Sequence, residues 1–194
     1  MTSQGSDTKS QIIQSALSLL KASGTEGLTM RQVAAVSGRS LSNVQHHFKN
    51  KKALLVGMAA YYFEQCDRLA EQYAREWQFQ NSRQGLFDLV LFCLDNADQV
   101  SDACLVFREM WAISLRNAEI ETQLINYYQS KFNKLCLYWA EYEVENAKKA
   151  ASLLLPFIEG YSIQHNALPL SKEQVAEMLS DTLYTVLNGH QNTA

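Results

Sequence analysis

Thr29 to Lys52, TMRQVAAVSGRSLSNVQHHFKNKK, is the stretch on which the reading of the chain turns. It describes two short helices and a tight turn. Thr29 stands where a helix needs its N-cap, and Gln32, three residues on, completes the pattern of a capping box. Val33 and Ala34 fall on the inner face of that helix. Gly38 supplies the turn, where a positive φ costs least without a Cβ. Ser40 is placed to cap the second helix. Leu41, Val44 and Phe48 then recur at three- and four-residue spacing, which is one apolar helical face. Ala34, Gly38 and Val44 meet the three geometric needs of a helix-turn-helix: a small residue where the helices cross, a glycine in the turn, and an aliphatic that pins the second helix to the first. The opposite face carries Ser42, Asn43, Gln45, His46 and His47, polar types suited to base edges and phosphates in a major groove. An ordinary helix pair with a polar surface would share much of this pattern.

Charge separates the two readings. Residues 1–52 hold Lys9, Lys21, Arg31, Arg39, Lys49, Lys51 and Lys52 against Asp7 and Glu26, a net of +5, while the remainder nets −8 and the whole chain −3. A basic end on an acidic protein is the footprint of nucleic-acid contact. Asn50 reads as the cap of a long helix, so Lys51 and Lys52 occupy its first turn. Cations there oppose the helix dipole at about a few tenths of a kcal/mol each. An anion such as a DNA phosphate at that helix start would account for them.

From Ile12 to Leu55 the chain resembles the N-terminal domain of the TetR family of transcriptional regulators, on Thr29, Val33, Ala34, Gly38, Ser40, Val44, His47, Phe48, Lys51 and Leu54. Two positions depart from the family pattern. Arg39 follows the turn glycine where an aliphatic residue is usual, and Gln45 stands where a phosphate-touching tyrosine is usual. The resemblance implies an all-α fold, with an N-terminal three-helix helix-turn-helix domain (residues 1–50) and a C-terminal helical bundle (51–194) for effector binding and dimerisation.

The rest of the chain agrees with that class. Two prolines and eight glycines in 194 residues favour long helices, and neither sustained strand alternation nor an internal repeat is present. Residues 1–7 read as disordered. A first helix is expected over Thr8–Ser23, stopped by Gly24, and a long one from Lys51 to about Trp77, roughly 40 Å at 1.5 Å per residue. Further helices are expected over Arg83–Ala97, Asp102–Asn117, Glu119–Glu141, Val144–Ala167 and Lys172–Leu187, with Ser82, Ser101 and Ser171 as caps and Ser171 with Gln174 as a second capping box. Pro156 should bend the helix that contains it. The last two helices carry broad apolar faces, with Ala151, Leu154, Leu155 and Ile158 on one and Val175, Leu179 and Leu183 on the other, joined by Met178 and Thr182. Such faces can pair with a copy of themselves as a four-helix bundle, and the resemblance implies a homodimer through this pair; an internal core would show the same pattern.

Aromatic residues crowd the middle helices. Phe63, Cys66, Phe107, Trp111, Tyr128 and Trp139 are candidates for the lining of a small-molecule effector pocket, although stripes at this spacing also build ordinary core. Glu109 beside Trp111 suggests an aromatic cage with an acid for a cationic ligand. The four cysteines lack C-x-x-C spacing and read as buried reduced thiols. No metal or cofactor site is expected.

The expected function is a sequence-specific regulator, most simply a repressor, bound as a homodimer to a palindromic double-stranded operator and released by a small molecule. Phosphate contacts are assigned to Arg31, Lys49, Lys51 and Lys52, and base reading to Arg39, Ser42, Asn43, Gln45 and His46, with Ser40 and His47 beside them. An enzyme is disfavoured, with no GxSxG, HExxH, Walker loop or dinucleotide fingerprint and no catalytic residue to name. The alternative is an all-α ligand-binding or adaptor protein whose basic end does not read DNA sequence. No apolar run approaches the roughly 18 residues of a membrane span, and the N-terminus lacks signal-peptide order. A cytoplasmic location is therefore expected.

Overall fold

A computed structural model describes residues 3–76, 82–98 and 102–189. Among these are nine α-helices and one 3-10 turn: α1 Ser3–Gly27, α2 Met30–Val36, α3 Leu41–His47, α4 Lys51–Glu76, α5 Arg83–Asp98, α6 Asp102–Ser114, α7 Ala118–Tyr138, α8 Val144–Gln164 and α9 Lys172–Asn188, with the 3-10 turn at His165–Ala167. No strand occurs among the described residues, as the all-α reading requires. No described helix is long and apolar enough to cross a membrane.

Local chemistry sets most of the boundaries. α1 begins at Ser3, inside the segment read as disordered, and its helical backbone breaks at Gly24 with φ 62°. α6 stops at Ser114 rather than Asn117 because Asn117 caps the next helix, its Oδ1 accepting from the N–H of Glu119 at 3.2 Å and of Ile120 at 3.4 Å. Both arms of the Ser171–Gln174 box form, with Ser171 Oγ accepting from the Gln174 N–H at 3.3 Å and Gln174 Oε1 from the Ser171 N–H at 2.9 Å. Ser82 caps α5 by accepting from the Gly85 N–H at 3.1 Å. Trp77 and Ser101 lie outside the described residues.

The chain divides into two compact units, Met1–Tyr73 with Ser101–Tyr127, and Ala74–Val100 with Tyr128–Ala194, so the divisions fall inside α4 and α7. In the first unit α1 packs on α2 and α6, and α2 on α3. Its core takes Ile12, Ala16 and Leu20 from α1, Val33 and Val44 from the helix-turn-helix, Leu54 and Met58 from α4, and Met110 and Ile120 from α6 and α7. Phe48 ends α3 by laying its ring against the backbone of Gly57 in α4. A Cβ at Gly57 would come within 2.7 Å of Phe48 Cε1, so this close approach needs the missing side chain.

In the second unit α5, α8 and α9 pack on one another around Leu86, Val90, Leu94, Ala150, Leu154 and Leu179. Charged pairs tie α9 to α5 at two places, Arg83 Nε to Asp181 at 2.7 Å and Lys172 to Asp95 at 2.6 Å. This packing takes up five of the seven residues expected at the dimer face. Ala151, Leu154, Val175, Leu179 and Leu183 all belong to the core of a single chain, because α5 covers the stripe that α8 and α9 share. Side chains with no accessible surface in one chain have none to give to a second. Leu155 and Ile158 are half-buried.

Candidate nucleic-acid interface

The helix-turn-helix is assembled almost entirely from contacts a few residues apart. Thr29 Oγ1 accepts from the Gln32 N–H at 3.2 Å, the first arm of the expected box. The second arm differs: the Thr29 hydroxyl donates to Gln32 Oε1 at 2.8 Å, so the two side chains close on each other. At the far end of α2, Gly38 has φ +65°. Its N–H bonds to Ala35 O at 3.2 Å and the Arg39 N–H to Ala34 O at 2.9 Å, the paired bonds of a Schellman motif with Gly38 in the left-handed position. Ser40 Oγ then accepts from the Asn43 N–H at 3.2 Å and lies 3.0 Å from Ser42 Oγ. Val44 and Val33 are wholly buried and Ala34 nearly so, which seats α3 on α2.

Arg39 shows why the residue after the turn glycine departs from the family pattern. A Schellman motif usually has an apolar contact at that position. Here the guanidinium reaches instead to α1, donating through Nη2 to Gln11 Oε1 at 2.7 Å. A polar tie of 28 residues' separation replaces a local apolar one. Arg39 Nε and Asn43 Oδ1 are both shielded from solvent with no hydrogen-bond partner, a donor and an acceptor left over at the start of the outward face.

The outward side chains are placed as follows. Ser40, Ser42, Gln45, His46, Lys49 and Arg31 are exposed; Asn43, His47 and Arg39 are half-buried. The field around them is positive. His46 and His47 meet edge to face with centroids 5.3 Å apart, and Lys9 sits 5.6 Å over the Phe48 ring. His47 is held below the usual histidine range, first by desolvation and then by the positive charges of His46, Arg39 and Lys9. These neighbouring cations oppose the protonation of His47, and an anion beside the ring would offset them.

Lys51 and Lys52 open α4 behind the Asn50 cap, whose Oδ1 accepts from the Ala53 N–H at 2.9 Å. Neither lysine simply faces solvent. Lys51 Nζ donates to the Thr25 carbonyl at 2.6 Å, and Lys52 Nζ pairs with Glu119 at 2.7 Å.

The six residues assigned to an effector pocket are not all alike. In the first unit Phe63 stacks on Tyr127 at 4.9 Å and meets Phe107 at 6.1 Å, with Tyr62 5.7 Å from Phe63. Cys66 is half-buried and Trp111 is exposed. Glu109 does not join Trp111 in a cage; it accepts from Thr25 Oγ1 at 2.9 Å. In the second unit Trp139 is wholly buried, its indole N–H without a partner. Tyr128 is half-buried and hydrogen-bonded to Glu159, and the phenol is pushed up by burial first and then by that carboxylate. Glu159 is itself raised by burial, against the opposing pull of Lys131 and Tyr128. Sequence reasoning missed Glu159, although an acid interrupting the apolar run LLLPFIEGY was a usable signal. Burial drives the Cys93 thiol up to about 11, which keeps it protonated and unreactive at neutral pH. Among the described residues no cluster of three or more His, Cys, Asp and Glu side chains could hold a metal ion.

Residues 12–58 match the family described as "Bacterial regulatory proteins, tetR family". Over 177 residues the chain is 34% identical to an uncharacterized HTH-type transcriptional regulator in the dhlA 5' region of Xanthobacter autotrophicus, spanning 89% of this chain and 87% of that protein. Its fold is similar to the crystal structure of a candidate TetR-family transcriptional regulator from Mesorhizobium loti MAFF303099, with a TM-score of 0.78 at 17% identity, over 95% of this chain and 98% of that one. It is also similar to a candidate transcriptional regulator from Saccharomonospora viridis in complex with choline, with a TM-score of 0.71 at 20% identity, over 92% of this chain and 96% of that one.

Proposed function

Because the chain belongs to the TetR family of bacterial transcriptional regulators, we propose that it is a repressor that binds a palindromic operator as a homodimer and leaves it when a small organic effector binds. Residues 1–50 act as the DNA-binding part and 51–194 as the effector and dimerisation part. The observation that carries the reading is α3: Val44 is locked into the core while Ser42, Gln45 and His46 face out from a positively charged surface. Lys49, Arg31, Lys51 and Lys52 serve the phosphates, which makes affinity fall steeply with salt. Ser42, Asn43, Gln45, His46 and Arg39 read bases, with Ser40 and His47 at the edge of the contact.

Two reading helices about one DNA turn apart require a dimer. With the inner stripe of α8 and α9 spent on α5, we assign pairing to the outer side of the same helices. Ile163, Met178 and Tyr184 expose apolar surface there. The Thr182 and Thr185 hydroxyls donate to Met178 O at 2.8 Å and Asp181 O at 2.9 Å, which leaves their methyl groups for packing. The effector reading is supported by the aromatic cluster of Phe63, Phe107 and Tyr127 and by the choline held in the Saccharomonospora viridis protein of similar fold.

Selection of bound duplexes from a random DNA library tests the proposal. The native protein is expected to enrich a palindrome, and Asn43→Ala to shift its base preference. Failure to enrich any sequence would overturn the assignment.

A further inference from the structure

The start of α4 is tied down on both sides. Lys51 Nζ donates to the Thr25 carbonyl at 2.6 Å, just past the break at Gly24, while the Thr25 hydroxyl donates to Glu109 of α6 at 2.9 Å. Lys52 pairs with Glu119 in the first turn of α7 at 2.7 Å. One turn further along α4, Gln123 of α7 donates to the Val56 carbonyl at 3.4 Å, its Oε1 sheltered and without a hydrogen-bond partner. The two cations that helix electrostatics mark as anion ligands are thus answered from within the chain, one of them by a carboxylate.

We propose that Glu119 is an autoinhibitory competitor for Lys52, so that the arrangement with the first turn of α7 against α4 is a state of lowered DNA affinity. The inference rests on the reading that Lys52 serves a DNA phosphate. A lysine ammonium satisfied at short range by a carboxylate must exchange it for the phosphate. Glu119 also places a negative charge beside the path of the DNA backbone, where it repels. Both effects favour release, and both disappear if the carboxylate leaves Lys52. The Lys52 and Glu119 side chains are 64% and 58% exposed. An exposed pair of this kind exchanges easily and is weak, so the competition is a modulation of about two- to fivefold in affinity rather than a block. It makes the position of α7 a direct control on a phosphate ligand, with no change needed in α3. Glu121 lies two residues on and points away from that side of the helix, which provides a charge-matched comparison.

The test is fluorescence anisotropy with a labelled duplex carrying the selected operator, at fixed salt, for the full chain and for Glu119→Gln, Glu121→Gln, Lys52→Met and the double variant Lys52→Met/Glu119→Gln. Far-UV circular dichroism verifies that each variant is folded. Glu119→Gln is expected to bind about two- to fivefold more tightly, Glu121→Gln to change less, Lys52→Met to weaken binding, and Glu119→Gln to tighten binding less in the Lys52→Met background than in the native chain, where only the direct repulsion is left to remove. If Lys52→Met weakens binding but Glu119→Gln does nothing, or tightens it equally without Lys52, the competition is refuted while the phosphate role stands. If Lys52→Met leaves affinity unchanged, the phosphate role of Lys52 fails and the competition with it, whereas palindrome enrichment by the native protein would still support the regulator.

Discussion

Replacing Gly57 by alanine sets two opposed terms against each other at the point where the reading helix joins α4. Glycine inside a helix is less favourable than alanine by about 1 kcal/mol, so the substitution should stabilise α4 if nothing else intervened. The new Cβ, however, would stand 2.7 Å from Phe48 Cε1 and 3.5 Å from Cζ. The ring cannot swing clear, because Phe48 is 4% exposed and Lys9 lies over its face. Forcing an extra methyl into such packing costs about 1–3 kcal/mol. The expected net is a loss of about 1 kcal/mol, together with weaker operator binding, since Phe48 terminates α3 and its displacement moves the reading face. Gly160 in α8 provides the contrast: its Cβ would meet only Gln164 Nε2, at 4.0 Å. Gly160→Ala should therefore gain up to about 1 kcal/mol from helix propensity alone. Urea unfolding at one fixed protein concentration, to hold any association constant, should move the two midpoints in opposite directions. If Gly57→Ala is as stable as the native chain and binds the operator as well, the close approach of Phe48 does not do what is argued for it.

Gly38→Ala should lose about 1–2 kcal/mol, a purely conformational cost because no atom lies within 4 Å of the added Cβ, and Gly38→Asn should lose less; the same urea titration measures both. His47 is depressed in the DNA-free protein, so its contribution to stability is complete above the unfolded histidine value of about 6.5 and is lost as pH falls through the lower folded value. A nearby phosphate favours the protonated ring, so operator affinity should strengthen with acid over the same window in which stability weakens; in His47→Gln, anisotropy and unfolding measured against pH should lose both slopes. Trp139→Phe removes a buried indole N–H that has no partner, which offsets the smaller ring, so its stability should stay within about 1 kcal/mol of native, whereas Trp139→Ala should lose about 3–5 kcal/mol. Equal damage from the two Trp139 substitutions in urea unfolding would contradict this.

The helix-turn-helix was legible because its determinants are near neighbours. A Ser40 cap satisfied three residues on, a Gly38 turn closed by bonds back to Ala34 and Ala35, and a Val44 knob on an i, i+3, i+4 face all involve torsions and contacts within about two helical turns. Even there a long-range partner intruded, since nothing near Arg39 announces Gln11. The aromatic middle helices were harder. Phe63, Phe107 and Tyr127 do meet, but Trp111 and Trp139 carry the same periodic signal, and one ended exposed while the other ended in the core.

The sequence by itself determined the helix class, the cap residues, the turn and the polar face of α3, because these follow from backbone geometry and side-chain chemistry at short separation. Tertiary structure alone decided which surface covers each stripe and which group answers each charge. An apolar face on α8 or α9 reads the same whether α5 or a second chain buries it; α5 does, and five residues that looked fit for a partner became core. A lysine at a helix start likewise calls for an anion without saying where it comes from. For Lys52 it comes from Glu119, 67 positions away, a pairing that only the packing of α7 beside α4 could bring about.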